Sequence, residues 1–234
     1  MEQYGLMLTA VIVAVVVFLF IRVTKGGIPG MLAKTVASVG FMALGLAGLT
    51  QLQSYSSFGV FIILGLLFGL VGDVVLDLKV VYPESNDIYL SSGMISFGIS
   101  HIIYFVATYL LAQFLDPTFS LVKPIWISVA VTIPISAGIL FASKFLDVKF
   151  GKFFVHALVY TLLLVFMALF SIYVAFSISA FKLLAVGFVL FLLSDLVLST
   201  QYFGGKPNDK LLIIINHALY YGAQICIASI FFFI

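Results

Sequence analysis

Two apolar segments of this chain each contain an aspartate where a lipid bilayer would penalise a charge. They read Gly65-Leu-Leu-Phe-Gly-Leu-Val-Gly-Asp73 and Gly187-Phe-Val-Leu-Phe-Leu-Leu-Ser-Asp195. An ionised aspartate at the centre of a membrane helix costs about 2.5–3.5 kcal/mol, so such a residue usually faces a protein interior or a watery cavity. Because the pattern occurs twice, it indicates chemistry or transport inside a membrane.

After each aspartate, the next apolar segment contains a histidine and a tyrosine in the pattern His-x-x-Tyr. His101 and Tyr104 come after the first aspartate, and His217 and Tyr220 come after the second. Residues three apart share a helix face, so each pair predicts a small polar stripe. A purely structural role for His101, as a hydrogen-bonded link between helices, remains open. The match of His217 to His101 rests on the repeat alone.

Other polar residues have a structural interpretation beside the functional one. Lys34 enters the second apolar segment, where it either extends its ammonium to the membrane surface or binds a lipid phosphate at the mouth of a cavity. Asp77 shares a helix face with Asp73, and we interpret it as a marker of the membrane interface. His156 and Tyr160 form an interfacial pair, which is more typical of architecture than of catalysis.

Composition places the chain in a membrane. Hydrophobic residues make up 64% of the 234 residues and charged residues 9%, more apolar surface than a soluble domain of this length can bury. A net charge of +2, without a basic run, gives no sign of a nucleic-acid partner. The single Cys226 excludes an intrachain disulfide bond. The first apolar segment, Leu6 to Phe20, lacks a basic region and a cleavage site, so we expect a retained helix.

The apolar runs predict an all-α fold, a polytopic membrane helix bundle forming one integral-membrane domain over residues 1–234. Connections between the runs are short, so we expect the function to reside in the bundle or at its rims. The eight predicted transmembrane helices span residues 5–21, 30–49, 58–78, 88–114, 121–141, 152–172, 179–200 and 211–234. The aspartates lie in the third and seventh helices, which are four places apart in chain order and so point the same way. This predicts a parallel repeat of four plus four helices.

Basic residues in the loops predict the orientation. Nine of the eleven lie on one side of the predicted membrane, which the positive-inside rule assigns to the cytoplasm. Both termini are then outside, most simply in a cell membrane. Asp73, Asp195 and His101 fall in the cytoplasmic half of the bilayer. The nine residues are Arg22, Lys25, Lys34, Lys79, Lys144, Lys149, Lys152, Lys206 and Lys210.

Several segments together resemble the YhhN family of membrane proteins. They are Gly65 to Leu76, with its Gly-Asp73 pair, Gly93 to Tyr104, with His-x-x-Tyr, Gly187 to Leu198, with Ser-Asp195, and Tyr220 to Gln224. The resemblance runs from the second helix to the eighth. Lys34 fits the lysine that opens the second helix, although the family's usual Lys-Pro-Leu reads Lys-Thr-Val here. His217 and Asp77 are not part of the family pattern.

The resemblance implies an enzyme, because animal members of the family are lysoplasmalogenases. Such an enzyme hydrolyses the vinyl-ether bond of a lysophospholipid and releases a fatty aldehyde and a glycerophospho-alcohol. We assign Asp73 as the general acid and Asp195 as the carboxylate that stabilises the cation or activates water, roles that are open to exchange. We expect no cofactor and no metal. The candidate residues are Asp73, Asp195, His101 and Tyr104 for catalysis, and Lys34, Ser194, Tyr221 and Gln224 for substrate binding.

Two other classes of function remain open. One is a zinc-dependent lipid amidase of the alkaline-ceramidase type, in which the histidines and aspartates hold Zn²⁺ together with a water. No two histidines of this chain lie three or four residues apart, so each ligand would come from a different helix. The other is a transporter of lipids or small solutes, in which the buried acids take up protons or cations.

Overall fold

The computed structural model describes residues 2–52 and 57–234, and every regular element in this part of the chain is helical. Within these described residues, eight helices are long and apolar enough to span a membrane, which confirms the predicted all-α class. In chain order they are α1 Glu2–Thr24, α2 Gly27–Leu49, α3 Ser57–Asp77, α4 Asn86–Leu115, α5 Val122–Ser143, α6 Phe154–Ala175, α7 Phe181–Phe203 and α8 Lys210–Ala228.

The helix ends differ from the predicted ones by a few residues. Helix α4 begins at Asn86, two residues early, because a polar Asn-Asp pair is well suited to a first helical turn. The last predicted helix ran to Ile234, whereas α8 ends at Ala228 and continues as a 3₁₀ helix, Ser229–Phe232. Such tightened turns are common at the ends of α-helices.

The chain forms two compact units. The first consists of Met1–Ala107 and Gln224–Ile234, and the second of Thr108–Ala223. Helices α4 and α8 therefore each contribute residues to both units. The single domain and the four-plus-four repeat stay predictions.

In the first unit α1 packs along α2, and α2 packs along α3. The inward face of α1 is a stripe of Val11, Val15 and Phe18, at the spacing of one helix face. Arg22 continues this stripe by one turn and is also largely withdrawn from solvent. The apolar seam between α1 and α2 therefore ends in a cation.

Glycines allow α4 to approach α3 closely. A Cβ on Gly65 would lie 2.3 Å from Cε1 of Tyr104, and one on Gly72 would lie 2.9 Å from the Phe97 ring. The Ser100 hydroxyl donates a hydrogen bond of 2.8 Å to the Gly65 carbonyl across the same contact. The glycine eight residues before Asp73 therefore fixes how close the two helices come.

In the second unit α5 packs along α6, and α6 packs along α7. One face of α5 is buried, and its residues recur every fourth position as Pro124, Ser128, Thr132 and Ser136. Small side chains at this spacing let two membrane helices pack closely. Helix α5 continues through an internal proline, Pro134.

The Gly65 contact leads to a prediction about stability. Gly65→Ala places a methyl group against the buried Tyr104 ring, so we expect a loss of about 1–3 kcal/mol in the free energy of unfolding. Gly138→Ala is the matched control, because a Cβ there meets nothing within 4 Å. Unfolding in detergent measures both variants. Equal stability of the two would contradict the packing role of Gly65.

Candidate active site

Asp73 lies inside the first unit and is 2% exposed. Its Oδ1 atom is 3.0 Å from Nζ of Lys34, and its Oδ2 atom accepts a hydrogen bond of 2.6 Å from the Ser38 hydroxyl. Lys34 and Ser38 are one turn apart on the inward face of α2. The helical spacing of α2 therefore places a cation and a hydroxyl at one carboxylate of α3.

Lys34 is buried rather than extended to a surface. It is 4% exposed, and its Nζ lies 3.6 Å from Oδ1 of Asp77 in addition to its contact with Asp73. One ammonium group therefore bridges two carboxylates that are a helical turn apart on α3. The structure replaces the snorkelling interpretation with a buried ion pair.

Asp77 makes more contacts than its position in the sequence indicates. It is 4% exposed, and its Oδ2 atom accepts a hydrogen bond from Nη2 of Arg22 on α1. Our interpretation of Asp77 as a plain interface marker is therefore incomplete, because the residue is buried and ion-paired at the end of α3. Arg22 itself was missed as a site residue. The available signal was its position one turn after Phe18 on the apolar face of α1.

His101 and Tyr104 lie on α4 in the first unit, and both side chains are buried. Nδ1 of His101 donates to the Phe97 carbonyl at 2.9 Å, which in a neutral ring leaves Nε2 as an acceptor. The two rings meet edge to face with centroids 6.0 Å apart. The Tyr104 hydroxyl donates to Oε1 of Gln224 at 3.0 Å and lies within electrostatic range of Asp73.

Asp195 lies in the second unit, on α7. Its Oδ2 atom accepts a hydrogen bond of 2.5 Å from the Tyr160 hydroxyl of α6. Tyr160, which sequence reasoning assigned to architecture, is therefore a candidate site residue. Its neighbour His156 is exposed and contacts the Phe153 ring.

Ser194 and Tyr221, two predicted substrate-binding residues, are fully buried in the second unit. The Asn216 amide donates to the Ser194 carbonyl at 2.8 Å and to its hydroxyl at 3.0 Å, and Asn216 was another residue missed in the sequence. The Tyr221 ring meets Tyr220 edge to face, with centroids 5.1 Å apart. Nδ1 of His217 bonds the Ile213 carbonyl one turn back, just as His101 bonds Phe97.

The predicted residues thus divide between the units. The first unit brings together Lys34, Asp73, Tyr104, His101 and Gln224, and the second holds Asp195, Ser194 and Tyr221. Within residues 2–52 and 57–234, no three His, Cys, Asp or Glu side chains lie close enough together to share a metal ion. The zinc-amidase alternative therefore finds no ligand set in this part of the chain.

The buried ion pairs lead to a prediction about Lys34. Lys34→Gln leaves the carboxylates of Asp73 and Asp77 without their shared cation, and breaking a buried pair in this way costs about 3–5 kcal/mol. The exposed Lys182→Gln is the matched control and should change stability by less than about 0.5 kcal/mol. Unfolding in detergent measures both, and a Lys34→Gln variant as stable as the control would contradict the pairing.

A comparison with protein-family models matches residues 29–230 to the YhhN family. This range includes Asp73, Asp195 and their helices, and α1 lies before it. Comparisons with curated proteins and with solved structures find no match. Because the family match covers most of its length, the chain belongs to the YhhN family.

Proposed function

We propose that this protein is an intramembrane hydrolase that cleaves the vinyl-ether bond of a lysoplasmalogen or a related lysolipid. The observation that carries the proposal is the buried, ion-paired carboxylate of Asp73 within an apolar helix. Membership of a family that includes lysoplasmalogenases supports the same reaction. The proposed setting is a cell membrane, with both termini outside and the site in the cytoplasmic half of the bilayer.

The reaction needs an acid and a carboxylate. Protonation of the β-carbon of the vinyl ether gives an oxocarbenium ion, and a water molecule adds to it with loss of a proton. The resulting hemiacetal collapses to a fatty aldehyde and a glycerophospho-alcohol, so one water is consumed in total. A carboxylate beside the reacting carbon stabilises the cation, as in glycosidases.

The local contacts favour one division of roles. Nζ of Lys34 lies 3.0 Å from Oδ1 of Asp73, and at this distance a cation attracts an ionised carboxylate. Cation stabilisation and water activation both need an ionised carboxylate, so we assign them to Asp73. Asp195 bonds the neutral hydroxyl of Tyr160, and we assign it as the acid. This exchanges the two roles expected from the sequence, which the chemistry allows.

The remaining residues act on these groups or on the lipid. We propose that Tyr104, which lies near Asp73 and bonds Gln224, orients the carboxylate and the substrate. His101 supports Tyr104 through their ring contact. In the second unit, Ser194 and Tyr221 are proposed to line the substrate path.

The two aspartates give the first test. Asp73→Asn and Asp195→Asn should each slow aldehyde release from lysoplasmenylethanolamine by about 10²–10⁴-fold, as expected for loss of an acid or base. The exposed Asp87→Asn is the matched control and should retain activity. An ordinary lysophospholipid, assayed for fatty acid, should yield no product.

If both asparagine variants keep full activity, the mechanism is wrong. If purified wild-type protein releases no aldehyde but moves lipid across proteoliposome membranes, the transporter alternative replaces it.

Tyr160 gives a second test. Tyr160→Phe removes one hydrogen bond to Asp195. Because such a bond contributes about 1 kcal/mol, we expect roughly a tenfold fall in kcat with little change in KM. Because the bond acts on a titrating group, the pH dependence of kcat should also shift. Tyr173→Phe, on the same helix, is the control. Identical pH profiles for the wild type and Tyr160→Phe would contradict a role for Tyr160 at the acid.

A further inference from the structure

Five charged side chains form one cluster near the ends of α1 and α3 in the first unit. Ion pairs connect Arg22, Asp77, Lys34 and Asp73, and Lys79 interacts electrostatically with Arg22, Lys34 and Asp77. In the described part of the chain, these three basic side chains and two carboxylates, which we call the basic cluster, carry one positive charge in excess when Lys79 is protonated. Such a charge among buried groups is costly unless an anion balances it.

Arg22 is held in place on three sides. Its Nη2 atom bonds Asp77, its Cζ lies 5.5 Å from the centre of the Phe18 ring, and its side chain lies against the backbone of Gly30, where a Cβ would be 3.4 Å from Nε. Nε of Arg22 is buried and has no hydrogen-bond partner in the described part of the chain. A buried N–H of a guanidinium group calls for an acceptor.

We propose that Arg22 and Lys79 form the subsite that binds the phosphodiester of the lysolipid substrate. The proposal rests on the proposed function, because it names the part of the site that holds the substrate's head group. One phosphodiester carries one negative charge, which brings the basic cluster to neutrality. The planar guanidinium group suits phosphate oxygens, and an ammonium adds a point charge.

The spacing along α3 fits such a substrate. Asp73 and Asp77 are four residues apart, about 6 Å along the helix axis. In a lysoplasmalogen, three glycerol carbons separate the vinyl-ether oxygen from the phosphate oxygen, a span comparable with one helical turn. A vinyl ether at Asp73 therefore places the phosphate at the level of Asp77, where Arg22 binds. Lys79 follows two residues later.

The same geometry reassigns Lys34. The sequence suggests Lys34 as the phosphate ligand, but its ammonium contacts both Asp73 and Asp77. Lys34 then reduces the repulsion between the two carboxylates, and Arg22 and Lys79 bind the phosphate. Arg22 belongs to α1, which lies outside the family match.

The test measures binding, so it needs no turnover. The probes are a 1-O-alkyl lysophosphatidylethanolamine, which has no vinyl ether to cleave, and the corresponding alkylglycerol, which has no phosphate. Arg22→Gln and Lys79→Gln should each weaken calorimetric binding of the phospholipid by roughly tenfold and leave alkylglycerol binding unchanged. The exposed Lys25→Gln is the control. Equal losses for both probes, or no loss for either, would overturn the subsite.

Asp77→Asn separates phosphate binding from a purely structural role of Arg22. It removes the partner of Arg22 but raises the excess charge of the basic cluster, so phospholipid binding should persist or tighten. If Asp77→Asn weakens binding as much as Arg22→Gln does, Arg22 serves only to hold Asp77 and the proposal fails.

Inorganic phosphate distinguishes the two sources of the anion. We expect it to compete only weakly with the phospholipid, because it lacks the hydrocarbon chain. Tight, Arg22-dependent binding of inorganic phosphate without phospholipid binding would overturn a lipid subsite. Arg22-dependent phospholipid binding by a protein that releases no aldehyde would instead defeat the proposed function and leave the subsite standing.

Discussion

The first unit depends on how a charged pair is accommodated in an apolar span. Asp73 alone on α3 would be a costly charge, but Lys34 lies 3.0 Å from it and Ser38 adds a hydrogen bond of 2.6 Å. These contacts form only in one register of α2 against α3, because a shift by one residue would turn both partners away from the carboxylate. The pair therefore determines helix packing as well as the chemistry available at the site.

The site residues that can be predicted from the sequence are those whose charge conflicts with their surroundings. Asp73 and Lys34 stand out because apolar residues surround them in the sequence. The eight spans can be predicted because they are long apolar runs. Arg22 and Tyr160 do not stand out, since basic residues and tyrosines are ordinary near membrane interfaces. Arg22 bonds a residue 55 positions away, and no local pattern in the chain encodes that pairing.

Some residues of the repeated motif serve helix packing and others are candidates for chemistry, and the sequence alone does not distinguish the two groups. In the first unit its glycine, Gly65, makes room for the Tyr104 ring, and its histidine, His101, bonds a backbone carbonyl one turn back. His217 makes the same local bond in the second unit. Both histidines therefore bond the backbone of their own helix. The aspartates differ, because Asp73 has a cation as its partner and Asp195 has a tyrosine hydroxyl.

The charges near the end of α3 can be taken as two pairs. Lys34 with Asp73 is neutral by itself, and both residues lie within the range of the family match. Asp77 lies within the same range, but its partner Arg22 comes from α1, which precedes it. Without a cation on the first helix, Asp77 would lose its direct hydrogen bond from Arg22 and keep the longer contact of 3.6 Å with Nζ of Lys34. Arg22 is therefore the direct hydrogen-bonded partner of Asp77, and α1 contributes to the electrostatics of the site although none of the predicted catalytic residues lies on it.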